Sequence, residues 1–361
     1  MQTLINIIVF LLILGSIIII HELGHFLAAK FFGVYCAQFS IGFGPRIWSK
    51  KGKETEYELR ALPFGGFVAM AGEEDQAENE LMKDVPIERT LKGIKPYQKV
   101  IIFAAGVFMN FILAIVVIFG VNLTSGQLPV NVCQVGTISE NSPAEQYGLK
   151  VGDIIQQVDI VETGQTILIS NYDDLALTKE NLKTDANQLT MNFKVQRNQE
   201  KININMTLEY NSEYEIYMMG ITQATRHMNF AESIQYTFIY FRQMSLAIFE
   251  ALAMLVTQFS KTVTQLSGPA GIYQITAEVT QTGQIAYIFN LLAMLSVNVG
   301  IFNLLPIPGL DGCQILFVIV EKIIGRELPE KFKLVLQFMG LGLVILLMIF
   351  VTIQDITRMI G

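Results

Sequence analysis

His21 and His25 stand four residues apart with Glu22 between them, in the stretch Ile17-Ile-Ile-Ile-His21-Glu22-Leu-Gly-His25. On a helix this spacing puts both imidazoles on one face, close enough to share a metal ion. The glutamate then lies beside the metal, where a carboxylate can take a proton from bound water. Two of the chain's three histidines fall in this one pentapeptide. The motif closes an apolar run, Leu4 to Ile20, interrupted only by Asn6, Gly15 and Ser16. A helix continued through Phe32 therefore carries ionisable groups at membrane depth, where they are expensive and mark function.

Two imidazoles leave a catalytic zinc site one protein ligand short, with a further position kept open for water. Asp311, 290 positions after His21, closes the run Asn303-Leu-Leu-Pro306-Ile-Pro308-Gly-Leu-Asp311-Gly312. The prolines end a helix there, and broken backbone at membrane depth needs protein or a water-filled cavity around it. The bland role for Asp311 is to cap the helix that begins at Gly312. Topology favours the ligand role, because the elements between the two motifs return Asp311 to the side of the membrane on which His21 and His25 lie.

Those elements follow from the hydropathy pattern. The chain is 52% hydrophobic and only 16% charged over 361 residues, which exceeds what a soluble core needs. The expected fold is a polytopic α-helical membrane protein with about four transmembrane helices, a cytoplasmic-side β-hairpin loop and an inserted β-rich domain, in which Ser142-Pro-Ala-Glu-Gln-Tyr-Gly-Leu-Lys-Val-Gly-Asp153 resembles the core of a PDZ domain. Residues 1–32 form the first transmembrane helix, 33–99 the hairpin loop and a linker, and 100–122 the second helix. Residues 123–226 form the inserted domain, and 227–284 an amphipathic helix at the membrane interface followed by a linker. Residues 285–312 form the third transmembrane helix, 313–333 a cytoplasmic loop, and 334–361 the fourth helix and tail. Within the linker, the acidic tract Glu73 to Glu80 reads as solvated chain. The N-terminal run lacks any Lys or Arg before Lys30 and ends in His-Glu-Leu-Gly-His, so it reads as an uncleaved helix rather than a secretory signal.

Charge orients this arrangement. Loops 30–99 and 322–333 hold the clustered Lys and Arg, which places them in the cytoplasm. The stretch from Leu123 to Glu232 has 7 basic and 14 acidic residues, which accounts for the whole net charge of −7, and it falls outside. No basic stripe suggests nucleic acid. The three scattered cysteines, Cys36, Cys133 and Cys313, outline neither a disulfide framework nor a thiolate metal site.

His-Glu-x-x-His on a first membrane helix, with Asn-Leu-Leu-Pro-Ile-Pro-Gly-Leu-Asp-Gly near the other end, resembles the site-2 protease family of intramembrane zinc metalloproteases. The likeness extends over the chain through Ile41-Gly-Phe-Gly-Pro45, Leu62-Pro-Phe-Gly-Gly-Phe67 and Ser267-Gly-Pro-Ala-Gly-Ile272, and is greatest to bacterial members with one PDZ domain. That family usually has two glycines after its Leu-Asp, whereas here Gly312 is followed by Cys313. The resemblance implies an inner-membrane, multi-pass enzyme with an extracytoplasmic PDZ-like domain. Its substrates would be single-span membrane proteins, such as anti-sigma factors or signal-peptide remnants, first trimmed by an upstream site-1-type protease.

In that reading His21, His25 and Asp311 hold Zn²⁺ and Glu22 is the general base. Asn303 steadies substrate or oxyanion, or else makes an interhelical hydrogen bond. The segment Gly42, Phe43 and Gly44 contacts substrate, since the alternating pattern over 34–71 predicts a hairpin able to accept an added strand. Two other classes compete with an enzyme. One is an inert scaffold that binds partners through its PDZ-like domain; the other is a metal transporter lined by His and Asp.

Overall fold

The computed structural model describes residues 2–73, 82, 84–258 and 266–360. It divides into two units, one made of residues 1–124 and 231–361 and the other of Ser125–Phe230.

The first unit is a helical bundle around α1 (Gln2–Phe31). The buried positions of α1 are Asn6, Phe10, Ile13, Ile17, His21, Gly24, His25 and Ala29, which recur every three or four residues along one face. Its other faces expose Leu4, Leu12 and Leu27. This is one packed seam on a helix otherwise covered in apolar side chains, as expected of a helix surrounded by lipid. The histidines occupy the next positions of the same seam, so the periodicity that buries Ile13 and Ile17 also turns both imidazoles inward.

α2 (Pro96–Ser125) runs antiparallel to α1: Ile102 lies at His25 and Asn110 at His21. Two glycines allow this approach. A Cβ on Gly24 would collide with the carbonyl of Ala105, and one on Gly106 would collide with both imidazoles. α7 (Ile285–Leu304) runs parallel to α1, with Leu291, Leu292 and Leu295 against Ile13 and Ile17. Beyond its end the chain breaks over residues 305–310 and restarts as α8 (Asp311–Ile324). Most of the expected loop 313–333 is thus helix. α9 (Glu330–Ile360) completes the bundle, joined to it at its start by Lys92–Glu330 and Lys333–Glu321.

α5 (Phe230–Thr257) lies in the segment 227–284, where an amphipathic interfacial helix and a linker are expected. Its Phe241, Met244, Ile248 and Leu252 pack along Ile118 of α2 and Ala293, Val297 and Ile301 of α7, and Asn122 donates to Thr237. α1, α2, α5, α7 and α9 are all long and apolar enough to cross a membrane. The stretch 258–284 connects α5 to α7. That stretch includes α6 (Pro269–Gln281).

Strands β1 (Cys36–Lys51) and β2 (Glu56–Met70) form the expected hairpin, but each bends back on itself. Residues 38–41 pair with 66–69 on one side and with 56–59 on the other, and 46–51 pairs with 56–60. Four segments therefore lie side by side in the order 46–51, 56–60, 36–41, 66–70. Gly42, Gly44 and Gly65 take positive φ (87°, 82° and 85°) where the strands turn, a conformation only glycine adopts freely.

The second unit is a five-stranded antiparallel sheet, ordered β6 (Thr166–Leu168), β5 (Ile154–Ile160), β7 (Gln188–Arg197), β8 (Glu200–Asn211), β9 (Ile216–Tyr217). The short pairs β3 (Gln127–Pro129) with β11 (Thr225–His227), and β4 (Val135–Ile138) with β10 (Ile221–Gln223), bring its two ends together. Alternate residues of β7, Leu189, Met191, Phe193 and Val195, are fully buried, as period-two patterning requires. Asn198 and Gln199, both at positive φ, make the tight turn from β7 to β8. The short helix α3 (Pro143–Gln146) is capped by Ser142 and leads through Gly148 and Gly152 into β5. The buried Asp153 is held by two hydrogen bonds of 2.7 Å from Arg197. The acidic tract expected to be a linker lies, apart from Glu73, outside the described residues.

Candidate active site

Three side chains from the two ends of the chain converge. His21 Nε2 lies 3.2 Å from His25 Nε2, and Asp311 Oδ2 lies 3.1 Å from the first and 3.4 Å from the second. His21 and His25 are 9% and 6% exposed. Among the described residues, this is the one group of three or more His, Cys, Asp or Glu side chains placed to hold a metal ion.

The proton arrangement tests whether a metal fits. His25 Nδ1 lies 2.8 Å from the carbonyl of Ile102, a partner that only accepts, so the proton sits on Nδ1 and Nε2 presents a lone pair. His21 Nδ1 lies 3.3 Å from the amide of Asn110 on α2, while Asn110 Oδ1 is buried with no hydrogen-bond partner. Turning that amide over gives Oδ1 the Nδ1–H proton and releases the second Nε2 lone pair. Asp311 Oδ2 is likewise buried without a hydrogen bond. Three lone pairs then face one point with no proton between them, and a cation relieves their repulsion.

The dimensions agree. Donor atoms on a tetrahedral zinc ion with bonds of about 2.0–2.1 Å lie about 3.3–3.4 Å apart, close to the three observed edges. Hydrogen bonds from the far imidazole nitrogens to protein are the usual means of orienting histidine ligands.

Glu22 faces the same cavity and has no hydrogen-bond or ion-pair partner among the described residues. It neighbours the hairpin closely: a Cβ on Gly66 would lie 3.1 Å from Glu22 Cγ. The cavity has a volume of about 720 Å³ and is lined by Gly66, Phe67 and Val68 of the hairpin and by Leu334, Gln337, Phe338 and Leu341 of α9. Asp311 does not use its side chain as a helix cap, since the cap position of α8 is Leu310 and no side chain bonds there.

Gly42, Phe43 and Gly44 do not line this cavity. They form the corner where β1 bends, and Phe43 is occupied with covering Gly65. The strand beside Glu22 is instead 66–70, the free edge of the folded hairpin. Asn303 is half-buried near the end of α7 and also does not line the cavity. Asn110 is the residue that sequence reasoning left unassigned. Its signal was a single strongly polar side chain in the uncharged apolar run 100–121; the partner needed to interpret it is 89 positions away.

Residues 9–347 match the family model described as Peptidase family M50. The chain is 34% identical over 351 residues to a Clostridium perfringens (strain 13 / Type A) protein provisionally named zinc metalloprotease CPE1693, covering 96% of this chain and 97% of that one. It is 32% identical over 429 aligned positions to the Regulator of sigma-W protease RasP of Bacillus subtilis (strain 168), covering 98% and 99%. It is 29% identical to the Zinc metalloprotease RasP of Shouchella clausii (strain KSM-K16), covering 97% and 98%.

Proposed function

The chain belongs to peptidase family M50, the site-2 proteases, and is a multi-pass, membrane-embedded zinc metalloprotease; from that premise we propose that it hydrolyses peptide bonds within the transmembrane segments of single-span membrane proteins, using His21, His25 and Asp311 as zinc ligands and Glu22 as general base. The observation that carries this assignment is the convergence of His21, His25 and Asp311 within 3.4 Å beside Glu22. Zinc at such a site polarises the scissile carbonyl and lowers the pKa of its water.

The protein's own groups do the rest. A carboxylate oxygen of Glu22 takes a proton from the attacking water and passes it to the leaving amine nitrogen. A transmembrane helix conceals its carbonyls in internal hydrogen bonds, and an unwound backbone in apolar surroundings loses several kcal/mol for each unpaired group. The free edge at 66–68 supplies replacement bonds if the substrate adds there as a strand, directly beside Glu22. This keeps the strand-addition role for the hairpin and moves it from Gly42–Gly44 to Gly66–Val68.

Orientation follows from charge. Lys92, before α2, pairs with Glu330 at the start of α9, and Lys333 in the first turn of α9 pairs with Glu321 of α8, so the two basic segments meet, which supports their lying together on the cytoplasmic side. The Ser125–Phe230 unit is then extracytoplasmic. We read it as a PDZ-like domain that filters substrates by the size of what remains outside the membrane. Anti-sigma factors are the first substrate class, in keeping with the sigma-W regulation in the name of the Bacillus relative, and signal-peptide remnants are the second.

The test is to incubate the purified protein with a single-span substrate and identify the new termini by mass spectrometry. Termini inside the apolar segment are expected; termini only in the flanking soluble parts would refute the assignment.

A further inference from the structure

We propose that Gln337 on α9 binds the substrate backbone beside the scissile bond, accepting a hydrogen bond from one peptide N–H of the unwound segment. The inference rests on reading the cavity as the proteolytic site. Gln337 lines that cavity together with His21, Glu22 and Asp311, and its Oε1 is buried with no hydrogen-bond partner. Buried acceptors are almost always paired, so an unpaired one in a reaction cavity asks for a ligand. The remaining α9 side chains that line the cavity, Leu334, Phe338 and Leu341, offer no hydrogen bond.

The position of Gln337 is fixed by its helix. At one end α9 is tied by the ion pairs Lys92–Glu330 and Lys333–Glu321. At the other, the buried carboxylate of Asp355 accepts hydrogen bonds of 2.8 Å from the backbone N–H groups of Gly268 and Gly271. This contact also accounts for the Ser-Gly-Pro-Ala-Gly motif: a Cβ on either glycine would approach an Asp355 carboxylate oxygen to 3.0 Å. Between the two ties, Gly340 packs directly against Pro308, so Gln337 lies one turn from the closest approach of α9 to the broken segment before Asp311.

The chemistry of the contact selects its ligand. A carboxamide carries a donor and an acceptor in one plane, as a peptide unit does, and it recognises backbone without regard to side chain. A substrate strand added along Gly66–Val68 pairs only one of its two edges there, and Gln337 lines the same cavity. Gln337 then pairs a backbone group that strand addition leaves unpaired.

The test uses the full chain in detergent, a single-span substrate, and semisynthetic versions of it in which one backbone N–H near the cleavage position is replaced by an ester oxygen. Gln337→Met keeps length and helix propensity but removes the amide. It is expected to raise KM about tenfold, the scale of one hydrogen bond, with kcat and zinc content near those of wild type. One ester substitution should weaken wild type by a similar factor and add nothing in Gln337→Met. The wild-type ester series requires no variant to fold. The proposal is overturned if Gln337→Met has the wild-type KM, if it loses zinc along with activity, or if no ester position affects wild type. Failure of the underlying reading is distinct: wild type would then not cleave, or Glu22→Gln would cleave as well as wild type.

Discussion

Replacing Asn110 with leucine removes the amide that meets His21 Nδ1 while filling most of the same space. Asn110 is fully buried, so no water can take over its role. A buried imidazole N–H without an acceptor costs about 1–3 kcal/mol, and this cost falls on the metal-bound form, in which the proton must sit on Nδ1. At about 1.4 kcal/mol per factor of ten, zinc affinity should drop about 10- to 100-fold, the range seen when second partners of histidine ligands are removed. Asn110→Asp keeps an acceptor oxygen and should bind zinc at least as tightly as wild type. Affinity is measured by chelator competition on purified protein, with thermal unfolding as a check on the fold. Unchanged zinc affinity in a folded Asn110→Leu protein would refute the tautomer argument.

Other expectations follow from the same geometry. Gly106→Ala sets a methyl group against both imidazoles and should abolish zinc binding, measured as metal content; a zinc-replete variant would show that α2 can shift without cost. Arg197→Leu leaves the buried Asp153 carboxylate with only the hydrogen bond from the Lys150 backbone N–H and should destabilise the Ser125–Phe230 unit by about 1–3 kcal/mol, detected as protease sensitivity confined to that unit. The Asp159 carboxyl is held down at about 2 by hydrogen bonds from Gln157 and Thr166 and by Lys194. The folded state thus favours the carboxylate, so its contribution is complete above the unfolded value of about 3.9 and fades as pH falls toward 2. Melting of Asp159→Asn should accordingly trail wild type near neutral pH and match it at about pH 2. A substrate that keeps a bulky folded domain outside the membrane should be cleaved more slowly than its trimmed form; deletion of residues 125–230 should erase that difference.

Much of the site could be read from the sequence because its information is local or topological. The His21–His25 spacing fixes a shared helical face, and the proline-broken end of α7 marks where Asp311 leaves the apolar run. What was not legible depends on contacts between distant segments. Asn110 looked like any polar residue in a membrane helix until α2 was packed against α1. Gly42–Gly44 was read as a substrate contact from the alternating pattern over 34–71, whereas the positive φ angles place it at a corner and leave 66–70 as the edge. The packing of α5 was not legible either, because Arg242 and Glu250 interrupt its apolar pattern. Its packing against α2 and α7 comes from the apolar positions between those charges, on a face that composition averages away.

The central claim is that Glu22 moves the proton in zinc-dependent cleavage of a membrane-embedded peptide bond. Wild type and Glu22→Gln, each with zinc content confirmed, should be co-expressed with a membrane-anchored substrate and its fragments followed by immunoblotting. The account predicts cleavage by wild type and none by Glu22→Gln at equal zinc occupancy. Equal cleavage by both would contradict it.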